Sequence, residues 1–452
     1  MKTIKFFIVL ITANILLFNS ALLSAANEKL MAGTAKVNIT PKDNGIIHDS
    51  LYARSLVLEA DGHRIAFISI DLGGYTNNNL LKISKDKFGI TQLFICPSHT
   101  HSGAQPKDKT ILENQLIKVL DLAVSNMFQA RISAGERSFP QLGFNRLIVR
   151  DDGHAREAWF EDNHYTYINS ERIPFGPVDP AVGVLKVEDM DGQVRVIVMN
   201  YACHSDAVWG NFAISADYPG VACRFVEQAY KNKANCLFIQ GGAGNIAPLF
   251  KTPGRNGPDD PFQTDYSLIE RMGKLLAMET YKCAESLTPR IKEDAEIKFI
   301  TDSLKFTGRF DKTIGFNVYL STIMINKNIV IATFPGEPFI KFQLDWKEEV
   351  RKDEGTHPFF FGYTWSGGRW PGYVADIRSA ALGGYGADQD SKIIEVGAGE
   401  SIMNRELENF YKLNGLMREK PGPAEFQHGT RYLVTPVAPL GQPAPKPLDK
   451  NK

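Results

Sequence analysis

Neither sign of charge is in excess in this 452-residue chain: Lys+Arg and Asp+Glu both number 51. Nucleic-acid binders draw most of their affinity from surplus cationic charge, so that class is excluded. Cysteine is scarce and widely spaced, at Cys96, Cys203, Cys223, Cys236 and Cys283. No pair has the spacing of a zinc ribbon, and an odd count in an exported chain leaves a free thiol or an intermolecular bridge. Buried small hydrophobes is the plainer reading of most of them. Glycine (38) and proline (24) are near average usage, which excludes collagen-like and low-complexity chains. With 43% hydrophobic and 23% charged residues, bulk disorder is excluded too. The chain carries no GxSxG elbow and no phosphate-loop lysine, which removes an ordinary α/β-hydrolase and nucleotide binding.

Long hydrophobic runs are confined to the start. Lys2 and Lys5 precede the apolar stretch Phe6 to Leu17, and the small residues Ser24, Ala25 and Ala26 follow. This is the pattern of a secretory signal, residues 1–26, cleaved after Ala26. The stretch is short for a bilayer span of about 20 residues, and no cysteine marks lipoprotein processing. The expectation is an exported protein, periplasmic or secreted.

Length corresponds to roughly three domains, or to one large α/β unit. No sequence repeat or low-complexity linker divides the chain. Ala53–Glu59 and Ile65–Ile70 read as strands around Asp61-Gly62, and Leu93–Cys96, Val182–Val187, Val194–Asn200, Cys236–Ile239 and Ile329–Phe334 as further strands. Helical periodicity marks 111–128, 218–230, 267–285 and 400–416. The fold expectation is therefore mixed α/β, with one large domain over 27–420 and a proline-rich tail over 421–452. Two polar segments with aromatics, 149–177 and 251–265, read as loops walling a cleft.

Polar residues recur at strand ends, where α/β proteins tend to build sites. His99 and His101 form an HxH pair; if the strand continues through them, both imidazoles share one face and suit one zinc ion. His204 ends another strand, and Glu337 sits in a Pro335-Gly336-Glu337-Pro338 turn after a third. Histidines plus a carboxylate at strand ends match a catalytic zinc site with an open position. The turn Gly241-Gly242-Ala243-Gly244-Asn245 offers backbone N–H groups to an oxyanion.

Together these residues resemble the neutral/alkaline, non-lysosomal ceramidases, over about 31–400. The resemblance rests on Ala32-Gly33-Thr34 through Thr40-Pro41, SHTHSG at 98–103, Asn145-Arg146, Val178 to His204, Ile214 to Gly220, QGGAGN at 240–245 and PGEPF at 335–339. It implies a zinc ion held by His99, His204, Glu337 and Tyr373. It also implies a second active-site tyrosine, Tyr385, and a substrate carbonyl oriented by His101 and Arg146. Asp217 resembles a residue behind the ligands or in the cleft. Where ceramidases carry GDxSPN with a serine over the metal, this chain has Gly244-Asn245-Ile246-Ala247-Pro248, with Ala247 at the serine position. The family's C-terminal immunoglobulin-like domain is expected to be absent.

The expected activity is hydrolysis of an amide or ester by a metal-bound water, on an N-acyl or O-acyl lipid or glycan. Gly244, Asn245 and Asp217 are candidate substrate contacts, and Trp365 and Arg369 a candidate stacking platform. Two alternatives stay open: a true ceramidase, and a metal-containing binding protein that lost turnover with the serine. Two nitrogens with a carboxylate and a phenolate suit zinc, and iron or manganese also suit such a set.

Overall fold

The computed structural model describes residues 29–42, 45–138, 142–159, 167–208, 213–251, 264–289, 295–389 and 393–418. The signal pattern, the proline-rich tail and most of the 251–265 loop lie outside them, as does Tyr165. The fold is mixed α/β, as expected, with one shared interior.

Its logic is a three-fold recurrence that the sequence does not show. In the first unit, strands Met31–Asn38, Tyr52–Ala60 and His63–Ile70 run antiparallel in sequential order. Helix Asn78–Phe88 then crosses over and Gln92–Pro97 pairs parallel to the third strand. In the second, Phe128–Ser138, Ala181–Asp189 and Val194–Tyr201 are antiparallel. Helix Asp217–Ala229 leads to the parallel strand Asn235–Gln240. In the third, Ile297–Thr307, Gly315–Ile325 and Ile329–Thr333 are antiparallel. Helix Ile340–Val350 leads to the parallel strand His357–Phe361. A second helix closes each unit: Lys109–Ser125, Ser267–Ser286 and Ala398–Leu413.

The sheets of the first two units join into one eight-stranded sheet where Met31 and Ala32 pair with Gln129 and Phe128. All three sheets face a common core built from Phe67 and Phe94, Val196 and Ile239, and Ile331 and Phe361, among others. Each such side chain contributes roughly 1.5–3 kcal/mol on full burial. Helices cover every outer face: Leu112 and Leu116 pack on the first sheet, Met272 and Leu276 on the second, Phe342 and Trp346 on the third. Strands covered on both sides need no polar alternation. Ala181 through Glu188 are accordingly all buried.

Helix Ile340–Val350 carried no periodic signal because its buried face includes Gln343 and Lys347. Those polar side chains are bonded inward, both to Asp179 Oδ2, at 2.7 Å and 2.6 Å. Of the 149–177 segment, expected as a loop, the described residues include strands Ala155–Trp159 and Tyr167–Ile168, which form a small sheet with Leu147–Val149. No helix among the described residues is long and apolar enough to cross a membrane.

Candidate metal centre

In each unit the third and fourth strands are parallel, so their C-terminal ends emerge together, and the three pairs of ends converge. His99 and His101 follow the fourth strand of the first unit, and His204 the third strand of the second. Glu337 follows the third strand of the third unit. The strand before His99 stops at Pro97, so HxH is not a strand face. His99 instead has φ +63°, a left-handed turn conformation. That turn still brings the two imidazoles together, with His101 Nε2 3.2 Å from His99 Nε2.

Side-chain nitrogens of His99, His101 and His204 all lie within 4.8 Å of one another. His99 Nδ1 sits 2.7 Å from the Gly73 carbonyl and His204 Nδ1 2.6 Å from the Ala243 carbonyl. A carbonyl can only accept, so both rings carry hydrogen on Nδ1 and present Nε2 inward. Glu337 Oε2 lies 3.3 Å and 3.5 Å from those two Nε2 atoms. It is buried and makes no hydrogen bond. A carboxylate oxygen facing two imidazole nitrogens at these distances calls for a shared cation, which a zinc ion or an added proton supplies. Burial works against charge on Glu337, but His99 and His204 hold its carboxyl well below the usual range. Burial also pushes His99 down, and the Glu337 carboxylate outweighs it, raising that imidazole. His204 is lowered by burial and by the Arg146 guanidinium.

Tyr373 stands beside Glu337 through a two-residue parallel pairing, and its hydroxyl lies 3.5 Å from His204 Nε2. Arg146 donates to that hydroxyl at 3.1 Å and to the Gly244 carbonyl at 2.9 Å. Its guanidinium also lies 4.7 Å from the Tyr385 ring centre. The donor set of His99, His204, Glu337 and Tyr373 thus suits zinc, with His101 adjoining and solvent-exposed.

Other candidates are placed differently. The Gly244 N–H donates to the Pro338 carbonyl at 2.8 Å, so it does not form the expected oxyanion cradle. Gly244 is needed for closeness, since a Cβ there would stand 2.4 Å from the Glu337 carbonyl oxygen. The Ile340 N–H donates to the Asn245 amide oxygen. Asp217 is fully buried at φ +55° and accepts from the Tyr218 and Val208 N–H groups. Trp365 is buried, bonded to Ile95 through its backbone and to the Gly368 carbonyl through Nε1. Arg369 lies over Phe316. Ala247 is buried against Phe144 in a small apolar cluster. All five cysteines are buried and free.

Sequence reasoning missed Tyr363 and Asp206. Tyr363 is buried at φ +57°, its ring 4.7 Å from that of His99 and its hydroxyl without a hydrogen bond. Like His99, it stands two residues past the fourth strand of its unit, a correspondence visible only once the units are superposed by topology. Asp206 pairs with Lys251 at 2.6 Å beside the histidines.

Among solved structures, the chain is similar to neutral ceramidase from Pseudomonas aeruginosa, at TM-score 0.66 and 14% identity. That match covers 88% of this chain and 76% of the other. It is similarly close to a ceramidase complexed with C2, at TM-score 0.67 and 15% identity, covering 88% and 77%. No family model and no curated protein matches the sequence. The fold is thus that of the neutral ceramidases.

Proposed function

We propose that this chain is an exported zinc-dependent hydrolase that cleaves an amide or ester bond of an N-acyl or O-acyl substrate. The observation that carries this reading is Glu337 Oε2, buried and without a hydrogen bond between two imidazoles whose other nitrogens are tied to carbonyls. The fold shared with a neutral ceramidase supports the reaction class, and the N-terminal pattern supports export.

His99, His204, Glu337 and Tyr373 would hold the ion. Zinc in such a set supplies Lewis acidity, acidifying water and polarising a carbonyl. The chain's own groups do the rest. Gly73 and Ala243 fix the tautomers of two histidines. Arg146 donates to the Tyr373 oxygen, favouring the charged form of a phenol that burial alone would keep neutral. Although His101 is solvent-exposed as a whole, the loss of solvation where its ring meets the cluster, and then His99, lower it, so a neutral Nε2 is available to take a proton and return it to the leaving group. Tyr385, half-buried beside Tyr373, offers a hydroxyl to the substrate carbonyl oxygen. Ala247 packs against Phe144 and lacks a hydroxyl, so the nucleophile is water.

Elemental mass spectrometry on untagged mature protein tests this. Stoichiometric zinc in the wild type, lost in His204→Ala, is expected. N-acyl lipids, acylated sugars and simple esters then form the substrate screen. No stoichiometric metal in either sample would overturn the hydrolase and leave a binding protein.

A further inference from the structure

The segments that carry the metal centre also line a cavity of about 330 Å³ that the hydrolytic reading does not use. Asn145 precedes Arg146, Asn245 follows Gly244, Ile340 comes three residues after Glu337, and Asp376 three after Tyr373; all four line the cavity. Asn145 and Asn245 belong to adjoining backbone: Asn145 pairs with Ile246, and the Arg146 N–H donates to the Asn245 carbonyl at 2.9 Å. Neighbouring residues on extended backbone point to opposite faces. Arg146 serves the metal side, and its predecessor serves the cavity.

Two features make this a binding site. Asn245 is 4% exposed and its amide oxygen is taken by Ile340, while its Nδ2 has no partner among the described residues. Arg378 also lines the cavity; it is solvent-exposed and has no ion-pair or hydrogen-bond partner among the described residues. The other lining cation, Lys341, is held by both oxygens of Asp345. Leu147, Ile340 and Leu382 supply apolar wall. Asp376 is buried, with its carboxylate closed on the Ser379 N–H and hydroxyl, which disfavours a dianion.

We propose that this cavity binds a small monoanionic amphiphile, an aliphatic carboxylate whose head meets Arg378 and Asn245 Nδ2 and whose chain lies on Leu147 and Leu382. None of the proposed metal ligands lines this cavity, and the binding does not depend on hydrolysis. Isothermal titration of the metal-loaded protein with octanoate, and separately with octylamine, tests it. Saturable octanoate binding is expected, weakened at least about tenfold, or 1.4 kcal/mol, in Arg378→Glu and in Leu382→Trp, with no binding of octylamine. Because a carboxylate also ligates zinc, His204→Ala is titrated in parallel and is expected to bind octanoate as the wild type does. Loss in His204→Ala with retention in Arg378→Glu would overturn the proposal, as would preference for octylamine or absence of octanoate binding. Matching circular dichroism and melting curves establish that each variant is folded.

Discussion

Glu337 and Glu406 are both buried glutamates of the third unit, and their surroundings are opposite. Glu337 faces two imidazoles that hold it charged. Glu406 is on the buried face of the closing helix and accepts from the Thr322 hydroxyl, but no cation among the described residues pairs with it, and burial pushes its carboxyl up to about 8. Burial alone therefore does not mark a functional carboxylate. What distinguishes Glu337 is convergence: its partners come from two other units, whereas Glu406 meets residues of its own.

The largest expected effect breaks the first member of this pair. Glu337→Gln should lose its zinc and cut turnover by more than the roughly 10–100-fold typical of removing an outer partner, read by metal content and kcat. Retained zinc with full turnover would show that the carboxylate is structural, like Glu406. Next comes a buried network that has both signs. Arg54 is fully buried between Asp71 (3.0 Å) and Glu227 (3.3 Å). Arg54→Ala leaves the buried Asp71 carboxylate without a cation, while Glu227 keeps Lys36 at 2.5 Å, and should lower stability by about 3–5 kcal/mol in denaturant titration. Since Asp71 opens the turn whose Gly73 carbonyl holds His99, zinc affinity should fall as well.

Glu406→Gln sharpens the other side of the comparison. A carboxyl raised in the fold binds more protons there than in the unfolded chain between about 4.5 and about 8. Wild-type stability should therefore fall as pH rises through that window and level off above it. The glutamine variant should remove this fall, by on the order of a few kcal/mol, and keep its zinc; melting at pH 5 and pH 8.5 decides. The smallest effect is at Tyr363. Its hydroxyl has no hydrogen bond, so Tyr363→Phe should change stability by less than about 1 kcal/mol. A larger loss would reveal a partner that only the loaded site supplies.

The ligand-bearing segments were legible because small and polar residues interrupt β-type runs there: SHTHSG after Leu93–Cys96, His204 after Val194–Asn200, PGEP after Ile329–Phe334. Their joint meaning came from resemblance, which the solved neighbours support at the level of fold. The strands Ile297–Thr307 and Gly315–Ile325 were missed. In the first, charged residues on both faces, such as Lys298, Asp302 and Lys305, dilute the apolar content. Trp365 looked like a stacking surface because exposed and buried tryptophans read alike in sequence; its backbone bonds to Ile95 place it in the wall between units.

Composition, strand ends and residue types are local properties, and the sequence determined them: a balanced α/β chain with imidazoles and a carboxylate at strand ends. The tertiary structure decided the rest, because it depends on packing between distant segments. Docking of three units on one core set which strand ends meet. It left Glu337 facing two histidines, closed the Gly244 N–H on Pro338, and opened a cavity lined by the same segments.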